Sequence, residues 1–164
     1  MRQVEFVPFR LTDIAEIYSI RVDGKQLSEL QEFIITFKDN ADEYLKDDFN
    51  SIVSTLILLT EKGVAESSFR PEGSLKDRVC ALPLFTIQRN NKRHGTLRLY
   101  CIRISENLLI VGGGGIKCTQ TYEEDPILSE KVQTLQLIDN ELSNIENEGK
   151  DLNSEINNLV IYIP

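Results

Sequence analysis

An α+β fold in the order β-α-α-β-β-β-α-β, with a small antiparallel sheet packed on a helical hairpin, follows from three features of this 164-residue sequence. Two apolar stripes at helical spacing lie back to back in residues 27–62. Three strand-like runs follow one another between residues 78 and 117. A third helical stripe begins at Pro126 and leads to a short apolar C-terminal run. The length fits one domain spanning residues 1–164, and 41% hydrophobic with 27% charged side chains is ordinary for a globular chain.

Residues 1–14 show no clear period and are expected as an N-terminal arm or a loosely attached strand. "EIYSIRVDG" alternates and ends in Asp23-Gly24, which is turn chemistry, so residues 15–22 are expected as a strand. Leu27, Leu30, Phe33, Ile34 and Phe37 recur at spacings of three and four, with Asn40 as a stop. Asp42 suits the N-cap of a second helix whose stripe is Leu45, Phe49, Ile52, Val53, Leu56 and Leu59, and Gly63 suits its C-terminal cap. Pro71 and Gly73 mark a loop. "RVCALPLFTIQ" reads as a strand, and Pro83 within it demands an edge position or a bulge because it has no amide to donate.

The polar turn "RNNKRHG" precedes the strand "TLRLYCIRIS", and Glu106-Asn107 forms a tight turn into "LLIVG". That run is apolar on both faces and is expected at the centre of a sheet. Pro126 is suited to the first helical position. The stripe of Ile127, Leu128, Val132, Leu135, Leu137, Ile138, Leu142 and Ile145 carries the helix to about residue 148, before the strand-like "NNLVIYIP".

Several chemistries are excluded or weakened by what is missing. No apolar run approaches the roughly 18 residues of a membrane span, and the N-terminus has no signal-peptide core, so a cytoplasmic protein without membrane partners is expected. Cys80, Cys101 and Cys118 are odd in number and widely spaced, without a CxxC pair, so neither a disulfide framework nor a zinc site is expected. There is no H-E-x-x-H and no carboxylate loop of metal-binding spacing, so no metal and no cofactor is expected. "GGGGIKC" fails as a phosphate-binding loop. Ile116 separates the last glycine from Lys117, Cys118 stands where Ser or Thr belongs, and no helix begins there. Four residues without Cβ instead let another chain, or a nucleic-acid strand, approach the main chain, unless the run is only a bend or bulge. His94, the one histidine, lies in a polar turn with no nucleophile motif.

The formal net charge is −8, but it is unevenly distributed. Residues 68–118 hold nine basic and three acidic side chains, a balance of +6; the remainder holds nine basic and 23 acidic, a balance of −14. Such a split marks either a polyanion surface on an acidic body or a basic sheet neutralised by its own helices. On "TLRLYCIRIS", alternation puts Arg98, Tyr100, Ile102 and Ile104 on one face and Leu97, Leu99, Cys101 and Arg103 on the other. Arginine grips phosphate bidentately and tyrosine stacks on bases, so Arg70, Arg93, Tyr100 and Arg103 are candidate RNA contacts; ion pairs to helical carboxylates are the alternative.

"GSLKDRVCALPL" and "GTLRLYCIRISENLLIVGGGGIKCTQTYEEDP" resemble the RelE/ParE/HigB toxin superfamily of bacterial and phage toxin–antitoxin systems. The resemblance covers roughly residues 68–130. It is carried by Leu75-Lys76-Asp77, by Leu97-Arg98-Leu99 and by Lys117-Cys118-Thr119-Gln120 before a proline and a helix. It implies a RelE-like domain, with mRNA on the ribosome and an antitoxin protein as partners. It also implies metal-independent endoribonuclease chemistry, with basic and tyrosyl side chains activating the ribose 2′-OH and stabilising charge on the scissile phosphate. Transferred by position, the catalytic set is Lys76, Arg78, Arg98, Lys117 and Tyr122. ParE-type relatives instead bind gyrase and need no such constellation. A non-catalytic module on the same fold, engaging a protein through the sheet edge and the glycine run, is therefore the alternative function.

Overall fold

The computed structural model describes residues 1–69, 77–84, 95–118 and 122–164. Its centre is one six-stranded mixed sheet. The strands are β1 (Arg2–Leu11), β2 (Glu16–Val22), β3 (Val79–Ala81), β4 (Thr96–Ser105), β5 (Leu108–Lys117) and β6 (Val160–Ile163), in the spatial order β3-β4-β5-β2-β1-β6. The α-helices among the described residues are α1 (Glu29–Phe37), α2 (Glu43–Lys62), α3 (Pro126–Asn147) and the one-turn α4 (Leu152–Glu155).

The α+β class holds, but the sheet is larger than expected and is not wholly antiparallel. The segment expected as an arm is β1, which pairs antiparallel with β2 on one side and with β6 on the other. Its alternation is hidden by a bulge. Val4 and Phe6 point inward, then the register steps from Pro8↔Tyr18 to Arg10↔Ile17, leaving Phe9 as the extra residue. The second departure is the β2–β5 pair, which is parallel and joins the N-terminal and C-terminal parts of the sheet.

The sheet is covered on both faces rather than packed on a single helical hairpin. One face packs Ile17, Leu97, Leu99, Cys101, Leu109 and Val111 against Leu30 and Phe33 of α1 and Phe49, Ile52 and Leu56 of α2. The other packs Phe6, Ile20, Tyr100, Ile102, Leu108 and Ile110 against Leu128, Val132, Leu135, Ile138 and Leu142 of α3. This double cover is why "LLIVG" is apolar at every position. It makes β5 the strand on which both helical layers converge.

The helix boundaries follow local chemistry. Ser28 caps α1 in a reciprocal capping box with Gln31. Asp42 caps α2 by accepting from Tyr44 and Leu45, and Gly63 ends it at φ 95°. Pro126 occupies the first turn of α3, with Asp125 as its cap. Pro83 follows β3, which is an edge strand as its proline requires. No helix among the described residues is long and apolar enough to cross a membrane. No group of three or more His, Cys, Asp or Glu among them is placed to hold a metal ion.

Candidate functional site

The sheet forks between β2 and β5. The two strands pair from Glu16↔Leu108 to Ser19↔Val111 and then separate. Beyond Val111, β5 continues to Lys117 with β4 on one edge, and its other edge has no strand partner among the described residues. Ser19 sits at the branch point, 1% exposed. Its hydroxyl donates to the Val111 carbonyl at 3.0 Å and accepts the Leu30 amide at 3.1 Å, which fixes the first turn of α1 over the fork.

The two helical layers meet at this opening. Lys131 of α3 reaches Glu29 of α1 in an ion pair of 2.9 Å, with side chains 21% and 12% exposed. Burial pulls the Lys131 ammonium down, but the hydrogen bond to Glu29 and its charge, with Glu130 and Glu32 behind it, outweigh burial and raise it above its ordinary value. The pair lies against β5: a Cβ on Gly113 would stand 2.8 Å from Glu29 Oε2 and 2.9 Å from Lys131 Cδ.

The glycine run permits this arrangement through a bulge. The β4–β5 register steps from Leu99↔Gly114 to Cys101↔Val111, so Gly112 and Gly113 together face Tyr100. At Gly114 a Cβ would overlap the Arg98 carbonyl oxygen, so only glycine allows that approach of two main chains.

Between α1, the open half of β5 and the start of α3 lies a cleft of about 370 Å³. Gly113, Gly114, Gly115 and Ile116 form its floor. Glu32, Phe33, Thr36 and Phe37 line one wall, and Asp125, Ile127, Leu128 and Lys131 the other. The aromatic wall is rigidly backed: Phe33 meets Phe37 at 5.0 Å between centroids and stacks towards Phe49 of α2 at 6.4 Å. The Asp125 carboxylate is engaged by the Ile127 and Leu128 amides at 2.9 and 3.2 Å. With Lys131 paired to Glu29, the lining is left acidic, and the Glu32 carboxylate has no hydrogen-bond or ion-pair partner among the described residues.

The residues singled out from sequence are distributed otherwise. Arg70, Lys76 and Arg93 lie outside the described residues. Arg78 clamps β3 to α3: its amide and Nε reach the two Asp139 oxygens at 2.8 Å each, and its terminal nitrogens reach Asp139 at 2.7 Å and Glu146 at 2.9 Å. Arg103 lies on the α1/α2 side, where its Nε donates to the Val64 carbonyl at 2.8 Å. Tyr100 and Tyr122 are 1% and 8% exposed and meet edge-on at 6.3 Å, so both rings belong to the core rather than to a stacking platform.

Arg98 and Lys117 do share a face and an end of the sheet. Arg98 is opposite Gly115 and Lys117 opposite Thr96, and alternation turns both towards α3. The Arg98 Nε is buried with no hydrogen-bond partner among the described residues. The six described members of the sequence-derived set thus form a clamp, a core pair, a residue on the far face and one cationic neighbourhood.

Sequence reasoning found the floor of the cleft, through the glycines, and missed its walls. Phe33 and Phe37 were legible only as a core stripe, and Glu29 and Lys131 are 102 positions apart with nothing local to pair them. No family model, no curated protein and no solved structure matches this chain.

Proposed function

We propose that this chain is a non-catalytic protein-binding module that receives an extended segment of a partner along the open edge of β5. The observation that carries the proposal is the fork itself: half of a central strand has an edge without a strand partner among the described residues, a floor of three glycines and Ile116, and a cleft between two fixed walls. Main-chain pairing along such an edge supplies affinity, and pockets for alternate side chains supply selectivity. The covered sheet and the Glu29–Lys131 tie hold the edge ready, so little ordering is needed on binding.

A metal-independent endoribonuclease of the RelE/HigB type is the competing proposal. It draws on the motif resemblance and on the unpaired Arg98 Nε beside Lys117. Against it, Arg78 is committed to two carboxylates and Tyr122 to the core. The β-α-α-β-β-β-α order expected for a RelE-like domain runs from β2 to α3, with β1 and β6 added at one edge of the sheet.

A photo-crosslinking residue at Ile127, which is 63% exposed at the cleft mouth, separates the two in cells. The binding reading predicts discrete protein adducts that disappear with Gly113→Val and persist with Arg98→Ala and Lys117→Ala. Growth arrest on expression that is relieved by Arg98→Ala or Lys117→Ala, with cleaved mRNA ends, overturns it in favour of the nuclease.

A further inference from the structure

The geometry points to the chemistry of the occupant: an extended segment of a protein partner that adds to β5 as a strand and alternates basic with apolar side chains. This rests on the binding reading above and goes beyond it by fixing the partner's backbone conformation and charge. Three features of the cleft carry the inference.

The first is length. The Glu29–Lys131 pair closes the edge at Gly113, and the open edge from Gly114 to Lys117 spans four residues, about 13 Å at roughly 3.3 Å per residue, so the occupant pairs over three or four residues. An added strand here prolongs the sheet where β2 leaves it, and the bulge with its glycines keeps β5 side chains out of its way.

The second is the pair of walls. A strand in this slot has both faces covered, one by Phe33 and Phe37 of α1 and the other by Ile127 and Leu128 of α3. Apolar side chains satisfy both, and the methylene stems of lysine or arginine lie as well against phenyl rings.

The third is charge. Glu29, Glu32 and Asp125 line the cleft against Lys131, which Glu29 already engages, and Lys117 stands at the far end of the edge. Among the described residues the Glu32 carboxylate makes no hydrogen bond or ion pair, and it stands beside Phe33 on the aromatic wall. A basic side chain of the occupant complements it. An acidic segment or a nucleic-acid backbone meets like charge at Glu32 and Asp125.

The test uses the full chain and four fluorescein-labelled probes in anisotropy titrations at low salt. These are an acetylated Lys-Val-Lys-Val-Lys-Val peptide, its Glu-Val counterpart, the Lys-Val peptide with alternate amides N-methylated, and a single-stranded RNA hexamer. The expected result is Lys-Val binding at least tenfold tighter than Glu-Val, with N-methylation costing at least tenfold. Glu32→Gln, at a half-buried position of α1 in the cleft wall, is expected to narrow the charge preference with an unchanged circular dichroism spectrum.

Equal binding of the Lys-Val and Glu-Val peptides overturns the charge assignment while the cleft reading stands on its crosslinks. Equal binding of the N-methylated peptide overturns strand addition. Binding of the RNA hexamer alone, lost with Arg98→Ala, overturns both this inference and the reading beneath it. Absence of binding by every probe overturns the inference, and the crosslinks then decide the reading separately.

Discussion

Replacing Asp139 by alanine removes the carboxylate around which Arg78, β3 and α3 are joined. Asp139 keeps 4% of its side-chain surface and accepts the Arg78 amide, its Nε and a terminal nitrogen. Breaking a fully buried ion pair by deleting one partner costs about 3–5 kcal/mol. Here the guanidinium retains 29% of its surface and a second carboxylate, Glu146, at 2.9 Å. The cost is therefore set by the orphaned Arg78 amide, about 1–3 kcal/mol, plus a partial loss at the guanidinium, for a sum of roughly 2–4 kcal/mol. Urea unfolding at neutral pH measures it, with an unchanged m-value as the check on two-state behaviour. In a double-mutant cycle, Arg78→Ala and Asp139→Ala should be non-additive by at least about 1 kcal/mol, since each leaves the other's partner exposed to the same loss. A cost below about 0.5 kcal/mol for Asp139→Ala, or strict additivity, refutes the assignment of Arg78 to a structural clamp.

Three further outcomes follow from the fork. Gly114→Ala drives a methyl into the Arg98 carbonyl and is expected to destabilise by about 3 kcal/mol, whereas Gly113→Ala meets only the ends of flexible side chains and costs about 1 kcal/mol, both read by urea titration. Ser19→Ala leaves the Leu30 amide and the Val111 carbonyl without their hydroxyl and is expected to cost about 1–3 kcal/mol, with faster amide exchange at Leu30. Stability should fall at alkaline pH. The raised Lys131 contributes fully below its ordinary value of 10.5 and loses its contribution as pH rises through the folded-state value. Tyr18, raised by burial and then by the Glu16 charge and hydrogen bond, acts in the same direction from its ordinary value of 10.0, so urea midpoints should drop as pH rises above about 10.

What was legible in the sequence was what is local. The α2 stripe, the Asp42 and Gly63 caps, Pro126 and the doubly apolar β5 are each set by neighbours in the chain and appear where the pattern puts them, whereas Leu27 falls before the Ser28 cap of α1 and Ile127 is exposed. β1 was obscured because the bulge at Phe9 breaks its period of two. The parallel β2–β5 pair is a long-range choice, closed over about 90 residues, and no local signal specifies it. For the glycine run the sequence left main-chain access and a bulge open; the bulge at Gly112 and Gly113 is present, and the walls of the cleft come from α1 and α3, brought together by an ion pair between distant positions. Alternation on β4 correctly separated Arg98 from Arg103; what it lacked was the second helical layer, which gives each face of that strand a different helix to meet.

The most direct measurement is residue-resolved amide hydrogen exchange across β5 in the free protein. Amides from Leu108 to Val111 lie between two strands and should exchange slowly. From Gly113 to Lys117 protection should alternate, with amides turned towards β4 slow and those turned into the cleft faster by orders of magnitude. Uniform protection through Lys117 would mean that the second edge is already paired, and the account of the fork as a docking edge would be wrong.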